Sequence, residues 1–155
     1  MRALIIGCGR VGATIALQLQ REEWDVTVVD ENEDALSRLG DHWPGAFLVG
    51  HGMDTALLRE AGIEEADAVV AATDGDNTNI VIAQVAQKRF GIDCVVARVL
   101  DPARADFYRE RGLRTVCPTK TAIDTLIHTV RTCEVPGAAA PAATTPAPAA
   151  AEAPA

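Results

Sequence analysis

The chain has 155 residues, a formal net charge of −8 and four cysteines, and the stretch after Val135 consists almost entirely of alanine, proline and threonine. The part that can fold is therefore about one domain long. An acidic surface repels phosphate backbones, which argues against nucleic acid as a partner, and no apolar run approaches the ~20 residues of a membrane-spanning helix.

The cysteines show neither a CxxC pair nor metal-ligand spacing, and the N-terminus lacks the apolar core and cleavage site of a signal peptide. Reduced thiols are the simplest interpretation. We expect a cytoplasmic protein that reaches the inner face of the cell membrane only through a partner.

A glycine-rich turn follows the first apolar run at residues 3–6. It reads Gly7-Cys8-Gly9-Arg10-Val11-Gly12. In this pattern the first glycine allows a tight bend, the second lets a pyrophosphate approach the backbone, and the third lets the next helix pack closely on the strand. The free N–H groups and dipole of that helix then favour an anion.

Strands and helices alternate along the rest of the chain. Hydrophobic patterning predicts further strands at 25–30, 46–49, 68–72, 94–100 and 115–117. Helices are predicted at 11–21, 31–39, 121–132 and between the strands, with Asp54, Asp76 or Asn77, and Asp101 as candidate caps. Six alternations favour a Rossmann-like, doubly wound parallel six-stranded α/β sheet in the order 3-2-1-4-5-6.

In such a sheet, ligands bind at the carboxyl ends of strands 1 and 4. Asp30 ends strand 2, eighteen residues beyond Gly12, where an acid accepts hydrogen bonds from a ribose. Its charge repels a 2′-phosphate and favours NAD(H) or an adenine nucleotide over NADP. The alternative is that Asp30 only ends a strand and caps the next helix.

Several other residues have two interpretations. Arg10 either reaches a phosphate or is solvated, and His51 either lies over an adenine or is an ordinary loop histidine. Thr73, Asp74 and Asp76 end strand 4 as ligand contacts or as helix caps. A buried arginine needs an anionic partner, so Arg98 is expected to form an internal salt bridge in preference to a ligand contact. Cys8 is interpreted as a small residue in a tight turn.

No nucleophile, base and orienting acid occur together in the sequence, and no substrate domain follows the fold. We therefore expect a protein that is not an enzyme. Two alternatives remain at this point: a small NAD-dependent oxidoreductase or its cofactor-binding half, and a nucleotide-free scaffold.

A series of motifs resembles the N-terminal RCK (or KTN) domain of TrkA-type potassium-transport regulators over about residues 1–130. The motifs are the glycine turn, Val28-Val29-Asp30, residues 57–63 (LLREAGI), 66–68 (ADA) and 72–74 (ATD), Asp76 with Asn79, 97–99 (ARV) with Asp101-Pro102, and 112–118. Two departures are His51, where members often carry an acid or amide, and the missing C-terminal subdomain. A paralogous RCK subunit would then supply that subdomain.

The resemblance implies a regulatory subunit that binds NAD(H), or alternatively ATP or ADP, and assembles as a dimer or ring beneath a TrkH-like membrane potassium transporter or channel subunit. It divides the chain into a nucleotide-binding domain (1–118), a crossover helix for dimerisation (119–134) and a disordered tail (135–155). The cofactor-binding residues it implies are Gly7, Cys8, Gly9, Arg10, Val11, Gly12, Asp30, Glu31, His51, Gly52, Thr73, Asp74 and Arg98.

Overall fold

A computed structural model describes residues 1–133. Its strands are β1 (Arg2–Ile6), β2 (Asp25–Asp30), β3 (Ala46–Val49), β4 (Ala68–Ala71), β5 (Cys94–Arg98) and β6 (Arg114–Val116). Its α-helices are α1 (Arg10–Arg21), α2 (Thr55–Glu60), α3 (Asp76–Arg89), α4 (Pro102–Arg109) and α5 (Pro118–Thr132), and short 3₁₀ helices span Glu33–Arg38 and Ile63–Glu65.

The strands form one six-stranded parallel sheet in the order β3-β2-β1-β4-β5-β6. The predicted topology is therefore confirmed. Strand order reverses between β1 and β4, and in open α/β sheets a crevice forms at the carboxyl ends beside such a reversal.

Helices cover both faces of the sheet because successive strand residues point to opposite sides. On one face, Leu4 and Ile6 belong to a core with residues of α2, α3 and α4. On the other face, Ala3 and Ile5 belong to a smaller core with α1 and the first 3₁₀ helix. The central strand is thus buried on both sides, as its unbroken apolar sequence predicts.

Several predicted boundaries differ from the structure. The segment predicted as a helix at 31–39 is a 3₁₀ helix at Glu33–Arg38, and β6 begins and ends one residue earlier than predicted. The last helix begins at Pro118 instead of residue 121, because the fixed φ of proline and its missing N–H suit a first helical position. The caps predicted at Asp54 and Asp101 are confirmed.

Helix α5 has no buried residue among its fifteen. Lys120 near its start donates to Asp106 of α4 at 3.1 Å. Within residues 1–133, no helix has the length and apolar content needed to cross a bilayer. The tail predicted at 135–155 lies outside the described residues.

Candidate functional site

The glycine turn lies between the ends of β2 and β4 and contacts both. Gly7 has φ +99° and donates its N–H to the Val29 carbonyl oxygen at 2.8 Å. A Cβ on Gly7 would lie 2.6 Å from the backbone nitrogen of Thr73. Both the left-handed conformation and this close approach require glycine, so the turn is held tightly against the end of β4.

The N-terminus of α1 is open. Gly9 occupies the cap position and no side chain accepts a hydrogen bond from the first-turn amides, whereas Asp54 and Asp101 cap α2 and α4. A Cβ on Gly9 would meet nothing within 4 Å, but one on Gly12 would overlap the Gly7 carbonyl oxygen. The turn therefore leaves free space above Gly9, where amides and helix dipole favour an anion.

Asp30 lies beside this turn at the end of β2. Its carboxylate accepts hydrogen bonds from the backbone N–H of Cys8 at 2.5 Å and of Asn32 at 2.9 Å. Asn32, and not Asp30, caps the 3₁₀ helix by accepting from Asp34 N at 2.9 Å. Each carboxylate oxygen has two acceptor sites, so Asp30 keeps capacity for two ligand hydroxyls.

A cavity of about 680 Å³ opens at these strand ends, within the size range of small-molecule sites. Every residue in the predicted cofactor-binding set except Gly12 lines this cavity. Gly12 instead packs closely against the carbonyl oxygen of Gly7 in the turn. The structure therefore brings the predicted residues together around one space. Their contacts with a ligand stay a prediction.

Sequence reasoning missed several lining residues, which include Asn32, Arg38 and Thr78. Arg38 Nη1 lies 3.5 Å from the Cys8 carbonyl oxygen, although the two residues are far apart in the chain. The sequence could have indicated Arg38 as a site residue only through its position on the helical segment that follows Asp30. Together with Arg10 and Arg98, it gives the cavity three guanidinium groups in a chain of net charge −8.

Asp76 does not line the cavity and does not cap α3, whose cap position is Gly75. Its carboxylate instead accepts from the backbone N–H of Leu100 at 2.7 Å and of Asp101 at 3.0 Å. Asn77, the other predicted cap, accepts from Arg104. The cap interpretation of Asp76 is thus wrong, because the loop after β5 supplies nearer donors. A contact of Asp76 with a ligand stays a prediction.

The salt bridge expected for Arg98 is also not found. Among the described residues, the ion pairs involve other arginines and Lys120. Arg98 Nη2 donates to the Thr73 carbonyl oxygen at 2.5 Å, and its buried Nε has no hydrogen-bond partner. The guanidinium faces the cavity with its charge unneutralised.

Cys8 and His51 both line the cavity. The Cys8 thiol is buried and donates to the Ala35 carbonyl oxygen at 3.3 Å. Burial, and then the nearby Asp30 carboxylate, raise the pKa of Cys8 against an opposing effect of Arg38, so its thiol stays protonated at neutral pH. His51 is exposed, and its Nδ1 accepts from Met53 N at 3.3 Å.

Within residues 1–133, no cluster of histidine, cysteine and acidic side chains could hold a metal ion. Two observations fit an adenine nucleotide. The turn leaves open space above Gly9, and among the described residues the Arg98 side chain that lines the cavity forms no ion pair. An anionic ligand would supply the negative charge that the Arg98 guanidinium lacks.

Comparison with known proteins gives a consistent family. The TrkA-N domain family matches residues 3–119. A Trk system potassium uptake protein TrkA from Streptomyces coelicolor is 41% identical over 128 residues, which cover 83% of this chain and 57% of that protein. The chain thus spans little more than half the length of this relative.

Two solved structures show the same fold. The Shewanella denitrificans Kef CTD in AMP bound form has a TM-score of 0.72 at 22% identity, over 84% of this chain and 80% of that chain. The GsuK structure bound to ADP has a TM-score of 0.70 at 23% identity, over 83% of this chain and 33% of that chain. At these identities the likeness concerns the fold.

Proposed function

Because this chain belongs to the TrkA-N domain family, as its motif series predicted, we propose that it is a regulatory domain of a potassium uptake system. The domain binds an adenine nucleotide, which is NAD(H) or alternatively ATP or ADP. Binding of this nucleotide controls a TrkH-like membrane transporter. The observation that carries this proposal is the open N-terminus of α1 above Gly9, beside Asp30.

Each part of the cavity has a role in this proposal. Asp30 accepts hydrogen bonds from the ribose hydroxyls, and the first-turn amides of α1 with Arg10 hold the phosphates. Arg98 supplies a further donor beyond the turn. The two related structures that were solved with AMP and with ADP support an adenine nucleotide as the ligand class.

Regulation requires that the nucleotide bind one conformation more tightly than another, because a ligand with equal affinity for both shifts no equilibrium. The domain binds the nucleotide and releases it without converting it chemically. Consumption of NADH by the purified protein would contradict this proposal in favour of an oxidoreductase.

Gly9→Ala tests the site with little risk to the fold. The added methyl group meets no protein atom within 4 Å, but it occupies the space into which a phosphate must come. In calorimetric titrations with NADH, NAD, ATP and ADP, the parent protein should show saturable binding, and Gly9→Ala should weaken it at least about tenfold.

Asp93→Asn is the control, since Asp93 is exposed beside the start of β5, at the opposite end of the strands. It should leave binding unchanged, while Asp30→Asn should weaken it. Asp30 also holds Cys8 N–H, so Gly9→Ala is the cleaner variant. The absence of saturable binding for all four nucleotides would refute the proposed site.

We propose that α5 is a crossover helix that packs on a second copy of the chain. Its exposed residues Ile123, Leu126, Ile127 and Val130 form one apolar stripe, with Leu126 65% and Val130 74% exposed. Leu126→Lys should lower the sedimentation coefficient to that of a monomer. Thr125→Lys places the same charge on the opposite face and should not. An unchanged oligomer in both variants would contradict this role.

The coupling to transport is testable in cells. Loss of the gene should raise the external potassium concentration needed for growth, and the parent gene should restore uptake. The Gly9→Ala gene should not restore uptake, because the variant protein should fold but bind the nucleotide only weakly. Full restoration by Gly9→Ala would show that nucleotide binding is not required for this function.

A further inference from the structure

Asn79 of α3 is a fully polar side chain in the core, with only 1% of its surface exposed. Its Oδ1 accepts from Thr73 N at 2.9 Å and from Thr73 Oγ1 at 2.7 Å. Its Nδ2 donates to the carbonyl oxygens of Thr73 at 3.0 Å and Arg98 at 2.9 Å. An amide offers two acceptor sites and two donors, so Asn79 is completely satisfied by these two residues.

These bonds lie where the pairing of β4 with β5 stops. The pairing of β4 with β5 ends at Ala71 and Ala97, and Thr73 and Arg98 follow just beyond. Asn79 therefore continues the connection between the two strands after their ladder has ended. Asn79 thus joins the Thr73 and Arg98 backbones beyond the last paired residues of β4 and β5.

Arg98 depends on the same arrangement. Its Nη2 donates to the Thr73 carbonyl oxygen that Asn79 also binds, and its side chain lines the cavity. The orientation of the guanidinium is thus set by the Thr73 carbonyl, whose position Asn79 fixes. A guanidinium held in this way binds an anion at a lower entropic cost than a freely rotating side chain.

We propose that Asn79 is a positioning residue of the nucleotide site, which fixes Thr73 and Arg98 so that the Arg98 guanidinium binds the anionic part of the ligand beyond the first phosphate. Asp30 ends β2 and Arg98 ends β5, three strand spacings away, or about 14 Å. A ligand whose ribose lies at Asp30 reaches Arg98 only with groups beyond its first phosphate. This inference rests on the proposed function.

The test compares ligands of different length on the same protein. Affinities for AMP, ADP, ATP and NADH are measured by calorimetry for the parent, Asn79→Ala and Arg98→Leu. We expect both variants to bind AMP within about twofold of the parent and to lose about tenfold or more for the three longer ligands, because a charge-assisted hydrogen bond is lost or misplaced. Gln87→Ala removes an amide farther along α3, at a site that holds Gly112, and should change none of the affinities.

A double variant distinguishes action through Arg98 from a separate effect. If Asn79 acts through Arg98, Asn79→Ala with Arg98→Leu should lose no more affinity for ADP than Arg98→Leu alone. Additive losses would overturn the proposal. So would an equal loss for AMP and the longer ligands, since that is the result of a purely structural role.

Asn79→Ser, which keeps a hydroxyl for the Thr73 amide, replaces Asn79→Ala if the latter does not unfold cooperatively. It should show the same dependence on ligand length. A parent protein that binds none of the four nucleotides refutes the proposed function itself. A parent that binds all four, with variants that show no dependence on length, refutes only the role of Asn79.

Discussion

Gly12→Ala is expected to destabilise the fold strongly, although it places the best helix-forming residue in a helix. The added Cβ would overlap the Gly7 carbonyl oxygen and lie 3.4 Å from Ile5 Cγ2. The overlapped atom is backbone, and Gly7 is held by Val29 at 2.8 Å. No rotamer change can therefore relieve the contact.

The magnitude follows from two opposing effects. Overpacking of a closely packed site costs about 1–3 kcal/mol, and an overlap with fixed backbone belongs at the upper end. The replacement of glycine by alanine within a helix returns about 1 kcal/mol. The free energy of unfolding should therefore fall by about 2 kcal/mol. With a urea dependence of about 2 kcal/mol per molar, the midpoint falls by about 1 M.

Trp24 and Trp43 are both partly buried, so tryptophan fluorescence can follow unfolding in urea. Gly9→Ala makes the same chemical change three residues earlier, where the methyl group meets no atom within 4 Å. Its free energy of unfolding should equal that of the parent within about 1 kcal/mol, the usual cost of alanine at a helix cap. A Gly12→Ala midpoint equal to that of Gly9→Ala would refute the close packing of the turn on α1.

Three further predictions concern titration and capping. Since the pKa of Cys8 is raised in the fold, unfolding free energy should fall as pH rises above the ordinary thiol pKa, and Cys8→Ala should reduce this fall in urea titrations. Hydrogen bonds from Lys120 and then Arg109 lower the pKa of Asp106, so Asp106→Asn at neutral pH should increase amide hydrogen exchange in α5. Asp54→Ala removes a cap that two amides of α2 share and should cost about 1 kcal/mol in urea unfolding.

Each of these has a contradicting result. An alkaline stability profile that is identical in Cys8→Ala would show that this thiol does not titrate differently in the fold. The stabilisation of the fold by ionised Asp106 should be present above the ordinary carboxyl pKa. It should be lost as pH falls through the lowered pKa of Asp106. Unchanged exchange in Asp106→Asn would show that Lys120 does not anchor α5. Asp93→Ala is the control for Asp54→Ala, and equal midpoints in the two would refute the cap.

The predicted site residues were found from local patterns at strand ends. Parallel strands place their carboxyl ends along one edge, so Gly9, Asp30 and Thr73 had to lie near one another once the strand order was known. The residues missed, such as Arg38, lie on segments whose course depends on packing. Arg38 reaches the glycine turn only because Ala35 in the same 3₁₀ helix and Leu39 directly after it are buried against that face of the sheet.

Arg98 and Asn79 show the limit of reasoning from residue type. A charged residue in an apolar strand predicts an ion pair, but Asp76, an acid shortly after β4, accepts from the amides of Leu100 and Asp101 instead. An asparagine in a helix predicts a solvent-facing position. Here it is buried, because the ends of β4 and β5 offer it four hydrogen bonds.

The sequence by itself determined the alternation of strands and helices, the glycine turn and the acid that follows the second strand, since each depends on local periodicity or on the conformation of single residues. Only the tertiary structure decided which polar groups satisfy one another and which remain free. Hydrogen-bond partners far apart in the chain are chosen by distance and angle, and these exist only once the sheet is formed. The unpaired Nε of Arg98 is the consequence that the sequence could not show.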